Sequence, residues 1–160
     1  VDTGLNTQTG ARIKRVEPYI GGESFMMTYG DGVSDIDLHM LLSQHQRSGK
    51  VVTLTGIQPG GRYGVLDLSG ECVTGFREKA KEDGGWINGG FMVMEPEVFD
   101  YLHSEENCVL ERVPLETLAQ EGKLGIYKHS GFWQCMDTQR DRIKLEELWQ
   151  NGEAPWMLWK

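Results

Sequence analysis

The sequence predicts an α/β fold: a mixed, largely parallel sheet with flanking helices, elaborated by a β-hairpin. Three observations predict it. Ser24-Phe25-Met26-Met27-Thr28-Tyr29 is a nearly continuous apolar run, the pattern of a buried strand. The stretch 50–57 is rich in β-branched residues and reads as a central strand, with a helical pattern before it. Between 65 and 79 two short strand patterns flank Ser69-Gly70, as in a tight hairpin.

In chain order, Thr9 is placed to cap a first short helix whose Ile13, Val16 and Ile20 lie at helical spacing. The strand over 24–29 stops at Gly30-Asp31-Gly32. Asp35 is then expected to cap a second helix through Leu38, Leu41, Leu42 and His45, closed near Gly49. Strand, helix and strand in succession predict a parallel pair with a right-handed crossover. That places the acidic loop after Tyr29 at the carboxyl edge of the sheet, where open α/β sheets bind ligands. After the hairpin, 86–94 reads as a strand and 96–102 as a short helix with proline in its first turn. A helix over 111–120 closed by Gly122, a strand over 123–129 and an amphipathic helix over 138–150 complete the pattern. In that last helix Ile143, Leu145, Leu148 and Trp149 fall on or near one face, and Trp156 and Trp159 beyond it need something to pack on.

A chain of 160 residues with 39% apolar and 25% charged residues suits one domain with one core, and we read 1–160 as a single unit. Its net charge of −8 argues against a nucleic-acid partner, which requires a basic face, but a nucleotide needs only local donors or a metal. No apolar run is long enough to span a bilayer and no leader pattern opens the chain, so a cytoplasmic, reduced protein is expected. Cys72, Cys108 and Cys135 are then three free thiols without metal spacing. His39, His45, His103 and His129 do not cluster along the sequence and read as surface or packing residues.

Four segments carry candidate chemistry. Asp31, between glycines after a strand, offers a hard oxygen ligand suited to magnesium; the same pattern also suits a plain turn. Asp137 precedes the final helix, where it or Thr138 can serve as a cap; equally, Asp31 and Asp137 can converge on one divalent ion whose remaining positions are filled by phosphate. Phe76-Arg77-Glu78-Lys79 ends a strand with opposite charges on opposite faces. Lys79 suits a phosphate and Glu78 sugar hydroxyls, unless the two form a solvated edge pair. In Ile87-Asn88-Gly89-Gly90-Phe91 two strand glycines mark either a bulge or a close ligand approach, with Asn88 offering its amide to a hydroxyl.

Taken in order, Tyr29-Gly30-Asp31-Gly32, Arg62-Tyr63-Gly64, Glu78-Lys79, Ile87-Asn88-Gly89-Gly90-Phe91, Gly131-Phe132-Trp133-Gln134 and Met136-Asp137-Thr138 resemble the sugar-1-phosphate nucleotidyltransferases, closest to their glucose-1-phosphate cytidylyltransferase branch. The resemblance runs over nearly the whole chain. It implies a Rossmann-like nucleotidyltransferase fold with a sugar-binding β elaboration, and transfer of CMP from CTP to glucose-1-phosphate with release of pyrophosphate. It further implies that Asp31 and Asp137 hold a catalytic Mg2+, that Lys79 contacts the sugar phosphate, and that Gly64, Glu78, Asn88 and Gly89 line the sugar. Two departures stand out. Ala80 follows the Glu-Lys pair where the family usually has proline, and the family's glycine-rich G-G-x-G-T-R loop is absent. An incomplete fold is therefore expected, the carboxy-terminal portion without the part that cradles the triphosphate. That portion is expected to be inactive alone, and to self-associate or join an amino-terminal half because its sheet edge would be open. The alternative is a non-catalytic, sugar-phosphate-binding or self-associating remnant.

Overall fold

The computed structural model describes residues 1–58 and 85–158, and between them the backbone of two strands at 64–69 and 72–78. The elements are α1 (Thr9–Ile20), β1 (Phe25–Met27), β2 (Gly32–Ser34), α2 (Leu38–Ser48), β3 (Val52–Ile57), β4 (Gly64–Ser69), β5 (Cys72–Glu78), β6 (Ile87–Met94), a 3-10 helix (Pro96–Tyr101), α3 (Val113–Gln120), β7 (Leu124–His129), β8 (Trp133–Cys135) and α4 (Gln139–Gln150). The main sheet has the order β1-β6-β3-β7, and two separate ribbons pair β2 with β8 and β4 with β5.

The expected mixed α/β sheet is present, and its strand order corrects one neighbour relation. β1 and β3 run in the same direction, as a strand-helix-strand unit requires, but they do not pair. β6 lies between them and is antiparallel to both. The parallel pair is instead β3 with β7, in register from Val52 opposite Leu124 to Ile57 opposite His129. β1 is accordingly an outer strand of three residues with Met26 exposed, not a buried one.

One face of the sheet carries the hydrophobic core. Val52, Met92 and Met94 pack with Ala11 and Ile13 of α1, with Val98 and Phe99 of the 3-10 helix, and with Leu115 and Leu118 of α3. The opposite face is more polar. There β3 presents Thr53, whose hydroxyl lies 2.8 Å from Nδ1 of the buried His45 on α2. The other nitrogen of His45 lies 2.9 Å from Glu95, which also accepts the Ser24 hydroxyl at 2.7 Å. His45 is thus a packing residue whose two ring nitrogens are both engaged, as a buried polar group requires.

The Ser24 hydroxyl, with His45 adding to it, holds the Glu95 carboxyl below its ordinary value of 4.5. A depressed folded-state value gives stability above the unfolded value and loses it as pH falls. The melting temperature of wild type should therefore exceed that of Glu95→Gln near neutral pH. The gap should narrow as pH falls below 4.5 in thermal melts; a gap that widens there would contradict the linkage.

Two helix starts differ from expectation. α2 is capped by Asp37, not Asp35: its carboxylate accepts the His39 and Met40 amides at 2.9 and 3.0 Å. Asp35 has another partner, described below. Thr9 is the first residue of α1 and makes no cap bond; its hydroxyl donates to Glu111 at 2.7 Å and accepts the Leu110 amide at 3.0 Å. At the other end of the chain, α4 buries only Leu145, while Ile143 and Trp149 are about half exposed. The expected apolar stripe is present in sequence but largely uncovered. Trp156 packs on Phe132, ring centroids 5.5 Å apart, and Trp159 lies outside the described residues. Cys108 is buried and Cys135 half-buried, and neither is bonded to another cysteine. Among the described residues no helix is long and apolar enough to cross a membrane.

Candidate functional site

The carboxyl ends of β3 and β7, the carboxyl end of β1 and the amino end of β6 all lie on one edge of the sheet, as the strand registers require. Tyr29, Asn88, Gly89 and His129 stand at that edge. The β2–β8 ribbon is tied there by the Trp133 indole, which donates to the Gly89 carbonyl at 2.8 Å.

The ribbon places the two distant aspartates at one of its ends. Gly32 pairs with Cys135, Val33 with Gln134 and Ser34 with Trp133. One step beyond, the Met136 amide donates to the Asp31 carbonyl at 2.8 Å. Asp137 is the next residue, so Asp31 and Asp137 occupy the same end of one antiparallel ribbon. Both are exposed. Among the described residues the Asp31 carboxylate has no hydrogen-bond partner. Asp137 is not the cap of α4. Thr138 holds that position, its hydroxyl accepting the Asp141 amide at 3.2 Å while the Asp141 carboxylate accepts the Thr138 amide at 3.1 Å. The Asp137 carboxylate is left to accept the Cys135 thiol at 3.1 Å. Partial burial, reinforced by Asp137, pushes that thiol above its ordinary value, which keeps it protonated and a donor.

Two hard carboxylate oxygens on one ribbon end suit Mg2+, which takes one or two carboxylates and leaves its other positions to phosphate and water. Among the described residues no group of three or more His, Cys, Asp or Glu is arranged to hold a metal ion.

Asn88 sits beside a bulge in β6. Between Leu54–Met92 and Gly56–Asn88 the register shifts, with four steps on β6 against two on β3. The bulge and the offered amide therefore coexist. Asn88 Oδ1 accepts the Gly90 amide at 2.9 Å, and its amide nitrogen donates to the Tyr29 hydroxyl at 3.4 Å. One amide hydrogen of Asn88 then remains for another acceptor. Tyr29 donates in turn to Glu111, whose second oxygen accepts Thr9. Burial, and then Glu111, push the Tyr29 hydroxyl far above its ordinary value, so it stays a neutral donor. Glu111 and Thr9 were not foreseen as supports of Asn88, because nothing in their local sequence points there.

Gly64 pairs with Glu78 at the open end of the β4–β5 hairpin, the end from which the chain leads to β3 and β6. The Glu78 side chain and the whole of Lys79 lie outside the described residues. His129 is not isolated, as its sequence position suggested. Its Nε2 lies 2.9 Å from Asp35 and 3.3 Å from Ser34.

These features define an α/β sheet protein with polar residues at the carboxyl edge of its sheet and, tied to that edge, a ribbon that carries Asp31 and Asp137 at one end. No family model matches the sequence. The chain is 48% identical, over 161 aligned positions, to the glucose-1-phosphate cytidylyltransferases of Salmonella typhi and Salmonella typhimurium. The match takes in 100% of this chain and 62% of each relative. The fold is similar to that of UDP-glucose pyrophosphorylase complexed with UDP-glucose, with a TM-score of 0.69 at 17% identity, covering 95% of this chain and 65% of that one. The chain belongs to the sugar-1-phosphate nucleotidyltransferase family. Within it, the sequence groups with the glucose-1-phosphate cytidylyltransferases, of which it spans less than two thirds of the length.

Proposed function

We propose that this chain is the sugar-phosphate- and metal-binding portion of an enzyme that transfers CMP from CTP to glucose-1-phosphate, giving CDP-glucose and pyrophosphate. The observation that carries it is that Asp31 and Asp137 lie at the same end of one ribbon, which is tied to the sheet edge that holds Asn88 and Gly89.

In that reaction an oxygen of the sugar phosphate bonds to the α-phosphorus of the triphosphate. The bond from that phosphorus to the bridging oxygen breaks, and pyrophosphate leaves with the electron pair. No side chain need act as nucleophile; the protein's task is to position and neutralise. Asp31 and Asp137 would hold a Mg2+, which when bound neutralises charge developing on the phosphates. Asn88, fixed by Tyr29 and the Gly90 amide, directs its remaining N–H toward a sugar hydroxyl. Gly89 is buried, its carbonyl accepts the Trp133 indole, and the place a side chain would take is filled by Ile57, the Thr55 carbonyl and that indole, so it shapes the sheet edge beside Asn88. Glu78 is assigned to sugar hydroxyls and Lys79 to the sugar phosphate as a point charge.

The sequence contains no G-G-x-G-T-R motif of the kind that supplies backbone donors to the triphosphate, and a single lost donor of that kind costs about two to three orders of magnitude in rate. The β1 edge and the uncovered side chains of α4 are the surfaces that a companion segment would close. The 160-residue chain should therefore bind glucose-1-phosphate with Mg2+ in a calorimetric titration, yet release no pyrophosphate above background when CTP is added. Robust pyrophosphate release would overturn the half-site reading. Absence of glucose-1-phosphate binding would overturn the sugar-phosphate assignment.

A further inference from the structure

At the end of the β2–β8 ribbon opposite Asp31 and Asp137, three groups converge on one carbonyl. The Ser34 hydroxyl donates to the Phe132 carbonyl at 2.6 Å, the Asp35 amide donates to it at 3.2 Å, and His129 Nε2 lies 3.2 Å from it. Nε2 also lies 2.9 Å from Asp35 Oδ1 and 3.3 Å from the Ser34 hydroxyl. All of these neighbours are oxygens, and the Ser34 hydrogen is already directed to Phe132. Nε2 therefore carries a hydrogen, directed between Phe132 and Ser34, while the buried Asp35 Oδ1 at 2.9 Å receives no hydrogen bond from it and is near it as a charge. The His129 side chain is only 9% exposed. Gly131 closes the turn around this cluster: a Cβ there would collide with the Asp35 carboxylate and come within 2.7 Å of the His129 ring.

The ribbon itself is short. Each strand has three residues, and such a pair is weakly specified in register unless something else pins it. One pin is Trp133 on Gly89. The second is this cluster, which fixes Phe132 against Ser34 and Asp35, and so sets which residue of β8 faces which residue of β2.

We infer that His129 and Asp35 are positioning residues: they clasp the start of β8 and so fix its register, which at the far end of the ribbon sets Met136 opposite Asp31, with Asp137 the next residue. The inference rests on the reading of Asp31 and Asp137 as a metal pair. A slip of one residue would turn every β8 side chain to the other face and take the Met136 amide off the Asp31 carbonyl.

Two measurements on the 160-residue chain separate the parts of this claim. The first is amide hydrogen exchange by NMR at Met136, whose N–H donates to Asp31, with the core amide of Met94 as control. His129→Ala should speed exchange at Met136 by about tenfold and leave Met94 unchanged. His129→Gln, which keeps a side-chain N–H donor, should restore protection. The second is Mn2+ binding followed by paramagnetic resonance, which should weaken by about tenfold in His129→Ala and recover in His129→Gln. Should His129→Ala fail to fold, Ser34→Ala, which removes one donor to the same carbonyl, is read in the same two ways. Unchanged protection at Met136, or failure of His129→Gln to restore it, overturns the clasp. Wild-type protein that binds no Mn2+, or Asp31→Asn and Asp137→Asn proteins that bind it as tightly as wild type, overturns the metal reading; exchange at Met136 then decides the clasp by itself.

Discussion

Asp137→Asn is expected to weaken divalent-metal binding by at least about a hundredfold, with little change in melting temperature. Loss of a residue that merely supports a metal ligand costs about ten- to a hundredfold in affinity, so loss of a ligand should cost no less. Asn keeps the shape and one oxygen but removes the charge that a hard cation requires. The fold should tolerate it, because Asp137 is exposed and Thr138 with Asp141 forms the cap of α4 without it. The one contact affected is the Cys135 thiol, a weak donor that the amide oxygen of Asn can still accept. Mn2+ titration and thermal melting of the same samples check both halves of the expectation. Undiminished binding would remove Asp137 from the site. A large fall in melting temperature would make it a structural residue.

Gly90→Ala is expected to be the most damaging of the small substitutions near the site. Gly90 has φ +84°, a conformation that costs an alanine about 1–2 kcal/mol. Its new methyl would also stand 2.5 Å from the Tyr29 ring, which is already held by Asn88 and Glu111. Overpacking of that sort adds about 1–3 kcal/mol. Together these predict a loss of about 2–5 kcal/mol, or a fall of about 4–20 °C in melting temperature for a chain of this size. Displaced Tyr29 would release the Asn88 amide, so weaker glucose-1-phosphate binding in calorimetry should accompany the loss of stability. A substituted protein with wild-type melting and wild-type binding would show that neither the backbone conformation nor the Tyr29 contact matters.

Much of this was legible along the chain because the signals are local. Apolar and β-branched runs at 24–29, 50–57 and 86–94 report strands wherever those strands end up. The glycines around Asp31 and at Gly89-Gly90 mark places where the backbone turns or bulges, and both do. Capping was less legible. Asp35 and Asp37 are equally good caps on paper, and the choice fell to Asp37 because Asp35 is drawn to His129, 94 positions away and invisible to any local pattern. The amphipathic pattern of α4 was real but overstated its burial, since a stripe of Ile143, Leu145 and Trp149 says which face is apolar and not whether anything covers it.

The sequence by itself determined the kind of elements, their order and the family of the chain, because periodicity, turn chemistry and short motifs act over a few residues. Only the tertiary structure decided who pairs with whom. β6 enters between β1 and β3, His129 reaches Asp35, and Met136, the neighbour of Asp137, bonds to Asp31, all through hydrogen bonds and contacts between residues distant along the chain. Such pairings depend on register and closure of the whole sheet, which no local stretch encodes.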